Sequence, residues 1–124
     1  MDNFTKAYIA AALWSSTDDN SDPLDSNFSV DDLSLEAKIK MTTDCVNFQH
    51  ANRVNLSLAY DLYPENEYTD EEKAGHDFWL TRNGHGAGFW DRGLGEVGDA
   101  LTEICKGWGE CWIYVGDDGK ICHY

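Results

Sequence analysis

The sequence predicts an α+β domain: two amino-terminal helices, then a β-hairpin, a helix and a second β-hairpin, the hairpins forming one small antiparallel sheet with helices on one face. Three observations predict it. Apolar residues recur at steps of three and four through the amino-terminal half. Beyond Gly75 the chain turns rich in aromatic residues and glycine, and Asn83-Gly84 sits between two aromatic runs. Gly116-Asp117-Asp118-Gly119 then separates two short apolar runs at the carboxyl end. With 124 residues, 42% hydrophobic and 13% aromatic, the chain can bury one core, and residues 1–124 are read as a single domain.

Taken in order, Asn3 to Trp14 reads as a helix, with Asp2 or Asn3 available as its cap and Phe4, Tyr8 and Ala11 or Ala12 on one face. Residues 15–34 hold six aspartates and no basic residue, and read as an acidic loop pinned by Leu24, Phe28 and Val30. From Ser34 to Tyr60 the stripe Met41, Cys45, Phe48, Leu56 and Ala59 predicts one long helix, with polar Asn52 in its gap and neither Gly nor Pro within it. Asp61 to Glu72 is acidic again, with a short helical turn around Thr69 to Lys73. Phe78 to Asp91 reads as the first hairpin. A loop at Asn83 to Gly86 would set Trp79 across from Trp90, Leu80 across from Phe89 and Asp77 across from Arg92. Glu96 to Lys106 reads as a helix with acidic residues early, Lys106 late and Gly107 at its end. Cys111 to Val115 and Lys120 to Tyr124 form the second hairpin.

Charge bounds the function. Nine Lys and Arg stand against 23 Asp and Glu, a net charge of −14. Such a field repels nucleic acid and anionic membrane surfaces, so neither is expected as a direct partner, and it favours a partner with a basic surface. The apolar run Ala7 to Trp14 lacks the positive flank of a signal peptide, and no stretch has the length of a membrane span. Cys45, Cys105, Cys111 and Cys122 show no metal-binding spacing and read as reduced thiols of a cytosolic protein.

The segment 74–95, AGHDFWLTRNGHGAGFWDRGLG, resembles a motif of small acidic proteins encoded by tailed bacteriophages and prophages, and WIYVGDDGK at 112–120 resembles the closing strand of the same family. The resemblance covers about the last fifty residues. It implies a phage gene expressed in a host bacterial cytoplasm, and it brings no activity and no catalytic residues with it.

Three groups of residues could carry function. Asp18, Asp19, Asp22, Asp25, Asp31 and Asp32, with Glu65, Glu67, Asp70, Glu71 and Glu72, are the candidate partner-binding set, because no Lys or Arg lies between Lys6 and Lys38. Their expected role is that of a nucleic-acid mimic: a phage accessory protein binding and inhibiting a host nucleic-acid-handling or defence protein, in the anti-restriction or anti-CRISPR manner. Phe78, Trp79, Phe89 and Trp90 could form an aromatic interface, the basis of an alternative reading as a self-associating assembly protein. His76, His85 and Asp91 could serve a metal-dependent enzyme, but the expected hairpin register holds His85 more than about 10 Å from Asp77 and Asp91. The glycine run Gly84 to Gly88 leads into an aromatic strand rather than a helix and lacks a basic residue, which argues against a phosphate cradle. No cofactor, metal or enzymatic activity is therefore expected.

Overall fold

A helix stands where the first hairpin was expected, and this decides the architecture. The computed structural model describes residues 1–124. Its elements are α1 (Asn3–Ser15), α2 (Leu35–Ala51), α3 (Arg53–Leu62), α4 (Asp70–Arg82), α5 (Glu96–Trp108), β1 (Ile113–Val115) and β2 (Ile121–His123), with short 3-10 turns at Leu24–Ser26, Val30–Asp32 and Phe89–Asp91. The expected order of two helices, hairpin, helix and hairpin is thus overturned. Five helices carry the fold, and the only sheet is the two-stranded carboxyl-terminal hairpin.

Local chemistry explains α4. Thr69 and Glu72 form a reciprocal capping box, Thr69 Oγ1 accepting from Glu72 N and Glu72 Oε1 accepting from Thr69 N. Asp70, Glu71 and Glu72 fill the first turn and Arg82 the last, as the helix dipole favours. Asn83-Gly84 closes this helix instead of turning a hairpin. Gly84 takes a left-handed conformation at φ +68°, the same backbone requirement a primed hairpin turn would have. Gly84 N donates to Thr81 O and His85 N to Leu80 O, the paired bonds of a Schellman ending.

The expected long helix is interrupted at Asn52, which lies between α2 and α3 at φ −117° and ψ 25°. Its backbone N and side-chain Nδ2 both donate to Phe48 O, at 3.0 and 2.9 Å, a side-chain bond back to a helical carbonyl of the kind that bends helices. The stripe itself still faces inward: Met41, Cys45, Phe48, Leu56 and Ala59 are all buried. α5 lies where its pattern placed it and runs to Trp108. The last hairpin pairs Ile113 with His123, Tyr114 with Cys122 and Val115 with Ile121. It joins the body through Ser34 N, which donates to Ile121 O at 2.8 Å.

Phe78 of α4 is the centre of an aromatic core, stacked on Phe48 of α2 at 3.9 Å and close to Tyr8 of α1 and Trp108 of α5 at 5.1 and 5.4 Å. α1 and α4 approach so closely that a Cβ at Gly75 would lie 2.0 Å from the Phe4 carbonyl oxygen, so only glycine fits there. The four cysteines are free thiols, three of them buried, and burial pushes the Cys105 thiol up to about 12.

Arg82, with only 5% of its side chain exposed, ties these layers together. Nη1 donates to Asp44 Oδ2 at 3.0 Å and to Tyr8 Oη at 3.1 Å; Nη2 donates to Trp108 O at 3.1 Å and Nε to Gly109 O at 2.9 Å. The guanidinium also lies 5.5 Å from the centre of the Phe78 ring and 5.7 Å from that of Trp108. One cation thereby neutralises a buried carboxylate of α2 and caps the negative end of α5. Arg82→Lys keeps the charge but cannot reach this fork of acceptors. It is expected to lower unfolding free energy by on the order of 3 kcal/mol, the cost of leaving buried acceptors without their charged donor. Urea denaturation checks this, and an unchanged midpoint would contradict the role.

Candidate functional site

Two acidic segments that are far apart in sequence meet around one cleft of about 770 Å³. Alanines of α1, namely Ala7, Ala10 and Ala11, line one side with Trp14 at its end, and Glu72, Lys73, His76 and Asp77 line it from α4. The α3–α4 connection adds Tyr63, Pro64, Asn66 and Tyr68. The Leu24–Ser26 turn brings Asp25, and the turn after Gly88 brings Asp91 and Arg92. These placements follow from the packing of α1 on α4. Gly75 lets the helices close together, and their adjoining residues form the cleft's sides.

At the base of the cleft Asp77 is almost wholly buried and fully engaged. Arg92 Nη2 and Nε lie 2.9 and 3.0 Å from Asp77 Oδ1, and Tyr63 Oη donates to Asp77 Oδ2 at 2.8 Å. The pair expected across two strands therefore exists, but it forms between a helix and the turn that follows. Burial pushes the Asp77 carboxyl above its ordinary range, and Arg92 and Tyr63 pull it only part of the way back. Burial, then the neighbouring Asp77 charge, raise the Tyr63 phenol well above its usual value. Asp91 accepts from Gly88 N at 3.1 Å and lies 3.7 Å from Arg92 Nε. Lys73 donates to Pro64 O, lies 3.6 Å from Asp70 and sits 5.7 Å from the Tyr63 ring centre. Both basic residues of the cleft are thus held by acceptors of the protein itself.

His76 is half-buried beside Trp14, ring centres 6.0 Å apart, and burial lowers its pKa. No protein group hydrogen-bonds its ring. His85 follows the end of α4 and lies outside the cleft lining, so His76 and Asp91 share a site that His85 does not join. No three His, Cys, Asp or Glu side chains are grouped so as to hold a metal ion.

Of the eleven candidate carboxylates, Asp25 and Glu72 line the cleft. Asp19, Asp22, Asp25, Asp31, Glu65, Glu67 and Glu71 are exposed. The other four are half-buried and do local work. Asp18 accepts from Asn20 N and Asp22 N, Asp32 from Ser29 N and Glu72 from Thr69 N, while Asp70 faces Lys73. Among the candidate aromatic residues, Phe78, Trp79 and Phe89 are 0–2% exposed and belong to the core, and only Trp90 reaches the surface. Sequence reasoning missed Trp14, Tyr63 and Tyr68. A signal existed for the tyrosines, which alternate with carboxylates in YPENEYTDEE; Trp14 looked like the end of an apolar helix face.

The histidines make stability depend on pH. His76, and His123 near the hairpin's end, have pKa values lowered from 6.5 by burial, so the unfolded chain binds protons that the folded one refuses. Stability is complete above the unfolded value and falls as pH drops below it. Asp77 acts oppositely, gaining stability by protonation only in the window just above 3.8. The urea midpoint is expected to fall between about pH 7 and about pH 5, and His76→Gln to remove part of the fall. A midpoint that rises over that interval would contradict the assignment. No family model matches the chain, and neither a curated protein nor a solved structure shows significant similarity to it.

Proposed function

We propose that the protein works by binding, its carboxylate-rich face docking on the basic surface of a partner where nucleic-acid phosphates would otherwise sit. The partner class is a host nucleic-acid-handling or defence protein in a bacterial cytoplasm. Docking inhibits it in the manner of an anti-restriction or anti-CRISPR protein encoded by a phage. One observation carries the reading: seven exposed carboxylates from two acidic segments make no side-chain hydrogen bond or ion pair within the protein, and one of them, Asp25, lines the same cleft as Glu72 of the other segment.

Clustered like charges with no internal partner destabilise a folded chain by mutual repulsion. Apart from the favourable place of Glu71 in the first turn of α4, their side chains make none of the hydrogen bonds or ion pairs that build the fold, so their benefit lies largely outside it. A field of this sign speeds encounter with a basic surface and repels polyanions. No helix is long and apolar enough to cross a membrane.

Affinity capture from bacterial lysate tests the proposal. A basic, nucleic-acid-handling partner is expected at low salt and lost near about 1 M salt, where exposed charges are screened beyond about 3 Å. Replacing Asp19, Asp22, Asp25 and Asp31 with Asn, which touches no internal hydrogen bond, is expected to abolish capture. Retention of the partner by this variant, or in high salt, would overturn the reading.

A further inference from the structure

The cleft has a composition that surface charge alone does not account for. Its lining joins exposed aromatic rings, Trp14 at 58% and Tyr68 at 56%, to the carboxylates Asp25, Glu72 and Asp91, over a side made of α1 alanines. Four carboxylates face two cations there, counting Asp77 with Arg92 and Lys73. Lys73 is bound to Pro64 O and lies near Asp70, while Arg92 is held by Asp77. Neither is free to neutralise Asp25, which has no partner, or the second oxygen of Glu72, whose Oε1 is taken by Thr69 N. The cleft therefore retains uncompensated negative charge beside aromatic faces.

That combination selects a cation, and the kind of cation can be narrowed. An anion would meet the carboxylates, and no ligand cluster suits a metal ion. A lysine ammonium is compact and strongly hydrated, whereas a guanidinium is planar and weakly hydrated. It stacks on an indole while its in-plane N–H groups reach carboxylates, and its apolar stem covers small apolar side chains. A volume of about 770 Å³ admits such a side chain together with adjoining backbone.

We propose that this cleft seats one arginine side chain of the basic partner, its guanidinium held between the Trp14 ring and the carboxylates of Asp25 and Glu72. The inference rests on the reading of the acidic face as a docking surface, and it can fail separately from it.

The test titrates a short capped peptide containing arginine into the full chain and follows the tryptophan indole N–H signals by NMR. The Trp14 signal is identified by its absence in Trp14→Ala. A peptide with neutral citrulline in place of arginine is the control. Arginine is expected to shift the Trp14 signal and to bind at least about tenfold more tightly than citrulline, charged hydrogen bonds being the stronger ones. Trp14→Ala is expected to weaken arginine binding about two- to fivefold, the range of an exposed cation–π contact. Asp25→Asn with Glu72→Gln is expected to weaken it further, glutamine preserving the capping box. Trp14 is exposed, and circular dichroism verifies that each variant is folded. Equal binding of the two peptides, or indifference to both the Trp14 and the carboxylate variants, overturns the arginine site. If the peptide binds in the cleft as described but lysate capture survives the four-aspartate variant, the arginine site stands and the wider docking face falls. If capture follows the aspartates while the peptide ignores Trp14, the docking face stands and the arginine site falls.

Discussion

The Arg82 guanidinium is the contact on which the arrangement of helices depends. A buried cation is costly unless its charge and its N–H groups are matched. Matching this one requires α1, α2, α4 and the end of α5 to be present together, because Tyr8, Asp44, Trp108 and Gly109 supply the acceptors. Burial alone would lower the Arg82 pKa, but Tyr8, Cys111 and Asp44 raise it, so the guanidinium stays charged. Asp44 is saturated in turn, Lys40 holding its other oxygen at 2.9 Å. With the carboxyl end of α4 anchored in this way, the earlier turns of the same helix present His76 and Asp77 to the cleft.

The chain's charges therefore divide by role. Asp44 with Arg82 and Asp77 with Arg92 are inward, paired and bonded in specific geometry, and they set which elements meet. Asp19, Asp22, Asp25, Asp31, Glu65, Glu67 and Glu71 are outward and unpaired. Proteins tolerate a destabilising surface when it performs a task, since activity and stability often trade against each other. Here the cost is self-repulsion within an acidic shell, and the return we propose is selection of a basic partner.

How much of this was legible in the sequence depended on whether an element faces solvent on one side. α1, α5 and the buried stripe of α2 and α3 follow amphipathic patterns, and the Gly116–Gly119 turn marks the last hairpin. α4 is different: from Ala74 to Arg82 nearly every residue is buried, so helical periodicity is erased and Phe-Trp-Leu-Thr resembles a strand. Asn83-Gly84 reinforced the error because helix endings and hairpin turns make the same demand on φ. The break at Asn52 coincides with a side chain bonding back to Phe48, which no composition rule flags. For the site, the excess of carboxylates was plain from composition. Their meeting with Trp14, Tyr63 and Tyr68 was not, because it arises from the contact of α1 with α4. The Asp77–Arg92 pair was expected from a strand register that does not exist; the right residues meet through a different backbone path.

Comparing two charge-neutralising variants by thermal unfolding tests this division of roles most directly. Asp44→Asn removes a buried charge, and the Asn replacements of Asp19, Asp22, Asp25 and Asp31 remove exposed ones. A lower melting temperature is expected for the first, and an equal or higher one for the second as repulsion is relieved. Loss of stability in the exposed set comparable to that of Asp44→Asn would show that those carboxylates hold the fold together, and would contradict their assignment to a partner.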